Sequence, residues 1–349
     1  MNPRRLPPAI FVAVALSTAL AACGTPSDSG DATSGSTSSA QPSKSLAPAD
    51  LKIAFFSAGT NNTYLQAGIA GAEEAAKAAG AEIDVLDGKF DPQEQFNQMQ
   101  SALTSGKYNV FVVEPNDGNL VCNLLTKQAV EKDILVSVFN QPICDRATKA
   151  GDEVWQPGTV TYVGGQTLDV YNAWIDQIIE ENPDGGKVAV ISGPDLNANT
   201  INLNTALKKL DGAGFSVVAN QKTDYSTPKA YAAAQTVLQA NRDLDLIISN
   251  YSGMTQGVVQ AAKAGNRLGS VKIYDMGGDK WALGAVADGQ LAQTVIFLPR
   301  QEGFDAVDAV IKSVQGEEVP KFINLTESDV LPGTPFVTKD NVSEFTPEY

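Results

Sequence analysis

The turn at residues 57–64, SAGTNNTY, is the first place where side chains able to hold a ligand stand close together. All of them are small or polar, apart from the closing tyrosine. The turn follows a nearly continuous apolar run, residues 51–56, which is typical of a central strand in a parallel sheet. Because ligands of open α/β sheets bind outside the carboxyl ends of the strands, we expect a binding site here. The alternative is that Asn61 and Asn62 supply only turn and helix-cap chemistry.

Several kinds of catalytic and cofactor site are excluded by composition or spacing. The sequence has no histidine, which excludes Ser-His and Cys-His catalysis, HExxH metalloproteases and histidine-ligated zinc. It has no GxxxxGKS/T motif, and its glycine pairs lack the spacing of a dinucleotide fingerprint. Four carboxylates near strand ends do not fit a calcium-binding loop, so we interpret Asp87, Asp91, Asp275 and Asp279 as solvated. We predict no catalytic residues, no metal and no cofactor.

Length and charge limit the class of protein. A chain of 349 residues, 43% of them hydrophobic, can bury a large core and predicts two domains. It carries 25 Lys and Arg against 40 Asp and Glu, a net charge of −15. Such an acidic chain repels phosphate backbones, so we do not expect nucleic acid as a partner.

The first 50 residues have the pattern of an export signal and a tether. Two arginines precede an apolar segment at residues 9–20, too short to span a bilayer comfortably. The segment ends in Leu20-Ala21-Ala22-Cys23, which resembles the bacterial lipobox; a plain signal peptide with an incidental cysteine is the alternative. Residues 24–50 are rich in Ser, Thr, Gly, Ala and Pro and cannot bury enough apolar surface to fold. We predict a signal peptide at 1–22 and a lipidated Cys23 on a flexible tether.

Strands and helices alternate in the rest of the chain. A capping box of Thr63 and Gln66 predicts the start of the first helix. Another helix is predicted at residues 119–131, and the alternation resumes with a strand at 159–163. Strands separated by helices of this length pair in parallel through crossover connections. The predicted fold class is therefore α/β, with doubly wound parallel sheets.

Two cysteines are left once Cys23 is assigned to lipidation. An even pair in an exported protein favours a disulfide over a thiol site. Cys122 opens the helix after the third predicted strand, and Cys144 follows the fourth. Adjacent strands would bring these two loops together, so we predict a Cys122–Cys144 disulfide.

From about residue 50 to 340 the chain resembles the periplasmic sugar-binding proteins of the ribose-binding type. Four short motifs carry the resemblance, in the family's order. They are Asn61-Asn62-Thr63-Tyr64, where the family has Asn-Asn-Pro-Phe, then Glu114-Pro115, Asp288-Gly289-Gln290-Leu291-Ala292 and Leu298-Pro299. The resemblance implies a type I periplasmic binding protein, whose two doubly wound α/β domains are joined by a three-segment hinge and close on a ligand.

The domain boundaries follow from this resemblance. The first domain is predicted at residues 51–162 plus 299–325, and the second at 163–298 plus 326–342. The chain is expected to cross between them near residues 162–164, near 298–299 and after 324.

The family's ligand contacts fall on ten positions of this sequence. These are Asn62, Tyr64, Glu114, Asn140, Gln141, Asn202, Tyr225, Tyr251, Asp279 and Phe297, with Asn199 as the alternative to Asn202. Ribose-type receptors have an Asp-Arg pair where Asn140-Gln141 stand here, and a further arginine in the second domain. The implied pocket is less charged and more aromatic. Glu114 replaces a neutral amide of the family, and the alternative is a solvated acid at a strand end.

The implied function is capture of a small neutral sugar-like or polyol ligand between two domains. The protein is expected to be a monomer in the cell envelope, extracytoplasmic and held to the membrane by its lipid anchor. Its expected partners are the membrane subunits of an ABC importer. The alternatives are a non-sugar ligand, such as a nucleoside, a signal molecule or a small aromatic, or a role in presenting ligand to a sensor. The competing classes of protein are an exported enzyme and a purely adhesive or structural lipoprotein.

Overall fold

The structure, a computed structural model, describes residues 46–349. The predicted signal peptide, Cys23 and the tether as far as residue 45 lie outside the described residues. Within residues 46–349, the helices are all too short or too polar to cross a bilayer.

The described chain contains twelve strands and eight α-helices. The strands are β1 (Lys52–Ser57), β2 (Glu82–Asp87), β3 (Val110–Val113), β4 (Leu135–Phe139), β5 (Tyr162–Gly164), β6 (Gly186–Ser192), β7 (Phe215–Lys222), β8 (Leu246–Ser249), β9 (Lys272–Gly277), β10 (Gln293–Ile296), β11 (Phe322–Asn324) and β12 (Phe336–Thr338). The helices are α1 (Thr63–Ala79), α2 (Pro92–Ser105), α3 (Leu168–Glu181), α4 (Ala198–Ala206), α5 (Thr227–Ala240), α6 (Ser252–Ala264), α7 (Lys280–Ala287) and α8 (Pro299–Val314).

The strands form two six-stranded sheets with the same winding. The first has the order β2-β1-β3-β4-β5-β11 and the second β7-β6-β8-β9-β10-β12. All pairs are parallel except β10 with β12. Helices α1 and α8 cover one face of the first sheet and α2 the other. Helices α3 and α4 cover one face of the second sheet and α5, α6 and α7 the other. The predicted fold class is confirmed.

Central strands are apolar because helices bury both of their faces. In β1 every residue after the first is buried, which explains the continuous apolar run in the sequence. In the second domain Trp174 is completely buried beside Tyr171. These cores hold the loops at the strand ends in place.

Helices α1 and α8 pack at unusually close range. A Cβ atom added to Gly303 would lie 1.9 Å from the carbonyl oxygen of Gly68, and one added to Gly71 would lie 1.9 Å from that of Arg300. Only glycine allows two helix backbones to approach this closely. The contact brings the beginning of α8 against the second and third turns of α1.

The chain passes between the two sheets three times. It leaves the first sheet after β5, returns between β10 and α8, and leaves again between β11 and β12. Strand β5 extends to Gly164, so Val163 and Gly164 pair within the first sheet.

Three local predictions differ from the structure. Helix α1 is capped by Asn62, whose Oδ1 accepts from the Leu65 amide at 2.9 Å, not by Thr63. The predicted helix at 119–131 is replaced by a π-helical turn, Leu124–Gln128, and a short 3-10 turn. The wider π-turn lets Leu124 and Ala129, five residues apart, both face the core. The fifth strand begins at Tyr162, three residues later than predicted.

The interpretation of Asp275 as a solvated carboxylate is wrong. Its side chain is completely buried within β9, where it accepts hydrogen bonds from the hydroxyls of Ser252, Thr255 and Thr294. A central strand of a doubly wound sheet has no solvated face, so a carboxylate there is satisfied by neighbouring side chains.

The structure brings Cys122 and Cys144 together as the sequence predicts. Their Cα atoms are 5.1 Å apart and their sulfur atoms 2.08 Å apart. The pair links the loop after β3 to the loop after β4, beside the ends of two neighbouring strands.

Candidate functional site

A cavity lies between the two sheets, at the carboxyl ends of their central strands. In each sheet the winding direction reverses between two neighbouring strands. These are β1 and β3 in the first sheet, and β6 and β8 in the second. The loops that follow these strands diverge there and leave a crevice. The loop after β1 and the loop after β3 line the cavity from one side, and the loops after β6 and β8 line it from the other.

The cavity holds about 600 Å³, its open mouth included, which is within the usual range for small-molecule sites. Its wall is made of amide, aromatic and a few aliphatic side chains and one carboxylate. The lining residues are Ala58, Asn62, Tyr64, Leu65, Phe90, Glu114, Pro115, Asn116, Asn140, Gln141, Gln166, Asn197, Asn199, Tyr225, Asn250, Tyr251 and Phe297. No lysine or arginine is among them.

The structure brings most of the sequence-predicted contacts to this wall. They are Asn62, Tyr64, Glu114, Asn140, Gln141, Tyr225, Tyr251 and Phe297, from both domains. Asn202 and Asp279 are not among the described residues that line it. Asn202 donates to the carbonyl oxygen of Gln166, and Asp279 caps α7 by accepting from the Ala282 amide at 2.7 Å. The interpretation of Asp279 as a solvated carboxylate is also wrong, because only 8% of the residue is exposed.

Glu114 is buried at the end of β3 and is held by three donors. Its Oε1 accepts from the Asn140 side chain at 2.6 Å, and its Oε2 accepts from the Ala58 amide at 3.2 Å and the Ser57 hydroxyl at 3.5 Å. Burial raises the pKa of Glu114, while the bonds from Asn140, Ala58 and Ser57 oppose this rise. The alternative of a solvated strand-end acid is therefore wrong, because only 3% of the residue is exposed.

Gln141 makes a direct contact between the domains. Its Oε1 accepts from the backbone amide of Ala198, the first residue of α4, at 2.9 Å. The first backbone amides of a helix have no acceptor within the helix, and the Gln141 side chain provides an acceptor for one of them. Gln141 therefore links the loop after β4 to the second domain at the edge of the cavity.

Aromatic rings cover part of the wall. Tyr225 and Tyr251 meet edge to face, with centroids 5.9 Å apart, and the Tyr225 hydroxyl donates to Asn197 Oδ1 at 2.9 Å. Burial raises the pKa of Tyr225 to about 12. Phe90, Asn140 and Tyr225 have φ values of 55°, 57° and 66°, a left-handed conformation that side chains rarely adopt. Such conformations concentrate at ligand sites, where the surrounding structure holds them.

Two asparagines of the cavity wall, both from the second domain, carry buried polar atoms without a hydrogen bond. Both side-chain atoms of Asn250 and Oδ1 of Asn199 have no partner among the described residues. Asn250 does lie near the Tyr171 and Tyr225 hydroxyls, where it opposes the rise of their pKa. Leaving a buried polar group unpaired costs about 1–3 kcal/mol, which a bound ligand would recover.

Sequence reasoning missed several lining residues. Asn250 follows β8 directly and Asn116 lies three residues after the end of β3, so their position after a strand was a usable signal. Gln166, Asn197 and Phe90 lie in irregular segments, and no local pattern marks them.

The arrangement can bind a ligand through neutral hydrogen bonds and aromatic faces. Among the lining residues no nucleophile is paired with a base. Within residues 46–349, no three potential metal ligands of the His, Cys, Asp or Glu type cluster together.

A sequence profile of the periplasmic binding protein domain matches residues 53–318. The chain belongs to this family. This periplasmic binding protein is 25% identical over 260 residues to a ribose import binding protein of Salmonella typhimurium, which covers 74% of the chain and 83% of the relative. It is 26% identical over 284 residues to a putative rhizopine-binding protein of Rhizobium meliloti, which covers 79% of the chain and 86% of the relative. The predicted resemblance to the ribose-binding type is confirmed.

Solved structures of periplasmic binding proteins share its fold. An ABC transporter solute binding protein from Mycobacterium smegmatis, with bound glycerol, matches with a TM-score of 0.69 and 27% identity, over 84% of the chain and 96% of the other. A myo-inositol binding protein from Caulobacter matches with a TM-score of 0.72 over 85% of the chain and 96% of the other. The second is only 19% identical, so it bears on the fold alone.

Proposed function

We propose that the protein is an extracytoplasmic receptor that binds a small neutral sugar or polyol between its domains and delivers it to an ABC importer. The observation that carries this proposal is the cavity wall. It offers carboxamides from both domains, two of them (Asn199 and Asn250) with unpaired atoms, beside aromatic rings and without a lysine or arginine. Carboxamides match vicinal hydroxyls because they both donate and accept, and aromatic faces suit the apolar face of a sugar ring.

An anionic ligand suits this site poorly. A sugar acid or phosphorylated sugar would face the buried Glu114 carboxylate with no cationic side chain on the wall. Burying such a charge unpaired costs several kcal/mol. The names of relatives support a neutral ligand class, since they bind or import ribose and, in one structure, glycerol.

The test is a thermal unfolding panel on the purified protein. D-ribose, D-allose, D-arabinose, myo-inositol and glycerol are compared with D-gluconate, ribose 5-phosphate and adenosine. We expect at least one neutral sugar or polyol to raise Tm, because a ligand at a hundred times its Kd stabilises the folded state by about 2.7 kcal/mol. Shifts confined to the anionic compounds or to adenosine would contradict the proposed ligand class.

Closure of the two domains is part of the same proposal. We take the predicted boundaries, with crossings near residues 162–164, near 298–299 and after 324, as those of a hinge. A ligand that contacts both sides shifts the population towards the closed state by its preference for that state.

We further propose that the protein is anchored by a lipid on Cys23. The Leu-Ala-Ala-Cys end of the apolar segment motivates this, and an anchor with two or three acyl chains holds a bilayer far more stably than one chain. In cells that process lipoproteins, Cys23→Ser should move the protein from the membrane fraction to the soluble fraction. Unchanged fractionation of this variant would refute the anchor.

We also propose that the Cys122–Cys144 disulfide forms in the exported protein. The two cysteines are 22 residues apart in sequence. Closing a loop of this size reduces the entropy of the unfolded chain and so stabilises the folded protein by about 3 kcal/mol. Urea unfolding should show that loss in the Cys122→Ser, Cys144→Ser double variant. The wild-type protein unfolded with a reductant is the control and should match the variant. Two titratable thiols in the oxidised wild type would show that the bond is absent.

A further inference from the structure

Glu302 is a buried carboxyl group on the first turn of α8, directly after the second passage between the sheets. Its Oε2 accepts from the Tyr64 hydroxyl at 2.6 Å. Within the part of the chain that the structure describes, it takes part in no ion pair. The close approach of α1 and α8 at Gly303 brings the two side chains together. Burying a carboxyl group without a cationic partner costs free energy of folding, so a function at this position would explain why it is there.

A chain of hydrogen bonds runs from Glu302 to the cavity wall. The Tyr64 hydroxyl accepts from Gln166 Nε2 at 2.9 Å, and the same nitrogen donates to Asn140 Oδ1 at 3.1 Å. Asn140 Nδ2 then donates to Glu114 Oε1 at 2.6 Å. The chain thus begins and ends at a carboxyl group.

The two ends fix the direction of every bond between them. A hydroxyl has one hydrogen, so a Tyr64 that donates to Glu302 must accept from Gln166. Gln166 therefore turns its amino group towards Tyr64 and Asn140, and Asn140 presents its oxygen to Gln166 and its amino group to Glu114. Without an acceptor at residue 302, the Tyr64 hydroxyl can turn towards Gln166 and compete with its amino group, so only the Glu114 end still holds the orientation of that carboxamide.

We propose that Glu302 is a positioning residue that sets the orientation of the Gln166 and Asn140 carboxamides at the ligand cavity. Gln166 lies on the first passage between the sheets and Glu302 at the end of the second, so the chain of bonds also joins two hinge segments. Tyr64, which stands where the ribose-binding family has phenylalanine, supplies the hydroxyl that makes the connection. The inference rests on the proposed function only where ligand affinity is measured.

Glutamine is the conservative replacement for Glu302. Burial raises the pKa of Glu302 well above its ordinary value, the Tyr64 bond opposes this, and the charges of Glu114 and Glu348 add to the rise. A neutral carboxyl still accepts through its carbonyl oxygen, as the amide oxygen of glutamine does. Leucine fills a similar volume but offers no acceptor.

The first measurement uses the ligand-free protein. The side-chain amide NMR signals of Gln166 and Asn140 are assigned by comparison with Gln166→Glu and Asn140→Asp. We expect both pairs of signals to move in Glu302→Leu and in Tyr64→Phe, and to keep their wild-type positions in Glu302→Gln. Unmoved signals in both Glu302→Leu and Tyr64→Phe would overturn the proposal, and so would equal movement in Glu302→Gln and Glu302→Leu.

The second measurement is titration calorimetry with D-ribose as the probe. Loss of one hydrogen-bonded constraint of about 0.5–1.5 kcal/mol corresponds to an affinity about two- to tenfold lower in Glu302→Leu and Tyr64→Phe. Glu302→Gln should stay within about twofold of wild type, and the double variant Glu302→Leu, Tyr64→Phe should be no weaker than either single variant. Additive losses would overturn the proposal. If wild type does not bind D-ribose, ribose is removed from the proposed ligand class and the titration uses the neutral sugar with the largest Tm shift, while the NMR result still decides the role of Glu302.

Discussion

Glu114→Ala is expected to weaken ligand binding by about ten- to a hundredfold. The Glu114 carboxylate holds the Asn140 side chain and the Ala58 amide in place and faces the cavity itself. Its removal leaves these two donors unpaired and takes away a charge-assisted acceptor for ligand hydroxyls. A hydrogen bond to a charged group contributes about 1.5–3 kcal/mol, which corresponds to that range of affinity.

Titration calorimetry with the sugar that gives the largest Tm shift in the panel measures this effect. Asp243→Ala is the matched control, because Asp243 is an exposed acid paired with Lys187, away from the cavity wall. It should bind with wild-type affinity. If Glu114→Ala binds as well as this control, Glu114 does not belong to the site. If Asn140→Ala and Tyr225→Ala do so too, the interdomain cavity is not the binding site.

In wild type, the ionisation of buried Asp275 is expected to lower the free energy of unfolding by about 3 kcal/mol in total as pH rises. Asp275→Asn is expected to remove this loss. Burial raises the pKa of Asp275 to about 6, while the hydroxyls of Thr255, Thr294 and Ser252 oppose the rise. In the unfolded chain its pKa is about 3.9. Well below pH 4 the group is protonated in both states. Between pH 4 and 6 it ionises mainly in the unfolded state, so the free energy of unfolding falls as pH rises.

Urea unfolding at pH 4 and pH 7.5 tests this sign. The free energy of unfolding of wild type, relative to Asp275→Asn, should be about 2 kcal/mol higher at pH 4 than at pH 7.5, because the unfolded chain is already about half ionised at pH 4. Other buried carboxyls titrate in both proteins and cancel in the difference. Asp243→Asn is the control with the opposite sign, because Lys187 lowers the pKa of Asp243. A wild-type-to-variant difference that does not change with pH would show that Asp275 ionises normally.

The order of strands and helices could be read from the sequence because it depends on local chemistry. Apolar runs bounded by caps and turns, such as the run that became β1, fix where a buried parallel strand lies. The winding rules bring the loops after β1 and β3 to the same edge of a sheet, and the family resemblance assigned Asn62 and Glu114 to one site there. The boundary of a cap or strand was less certain, since Asn62 and Thr63 have similar capping ability.

By itself, the sequence determined the α/β class, the two-domain family, and about half of the residues that meet at the cavity. Which polar side chains are buried, and what they touch, was decided only by the tertiary structure. Tyr64 and Glu302 are 238 residues apart, and their contact exists because α1 and α8 pack closely at Gly303. In the same way Asp275 is buried by helices on both faces of its sheet. Burial and partners depend on how distant segments pack, and a local pattern carries no record of that.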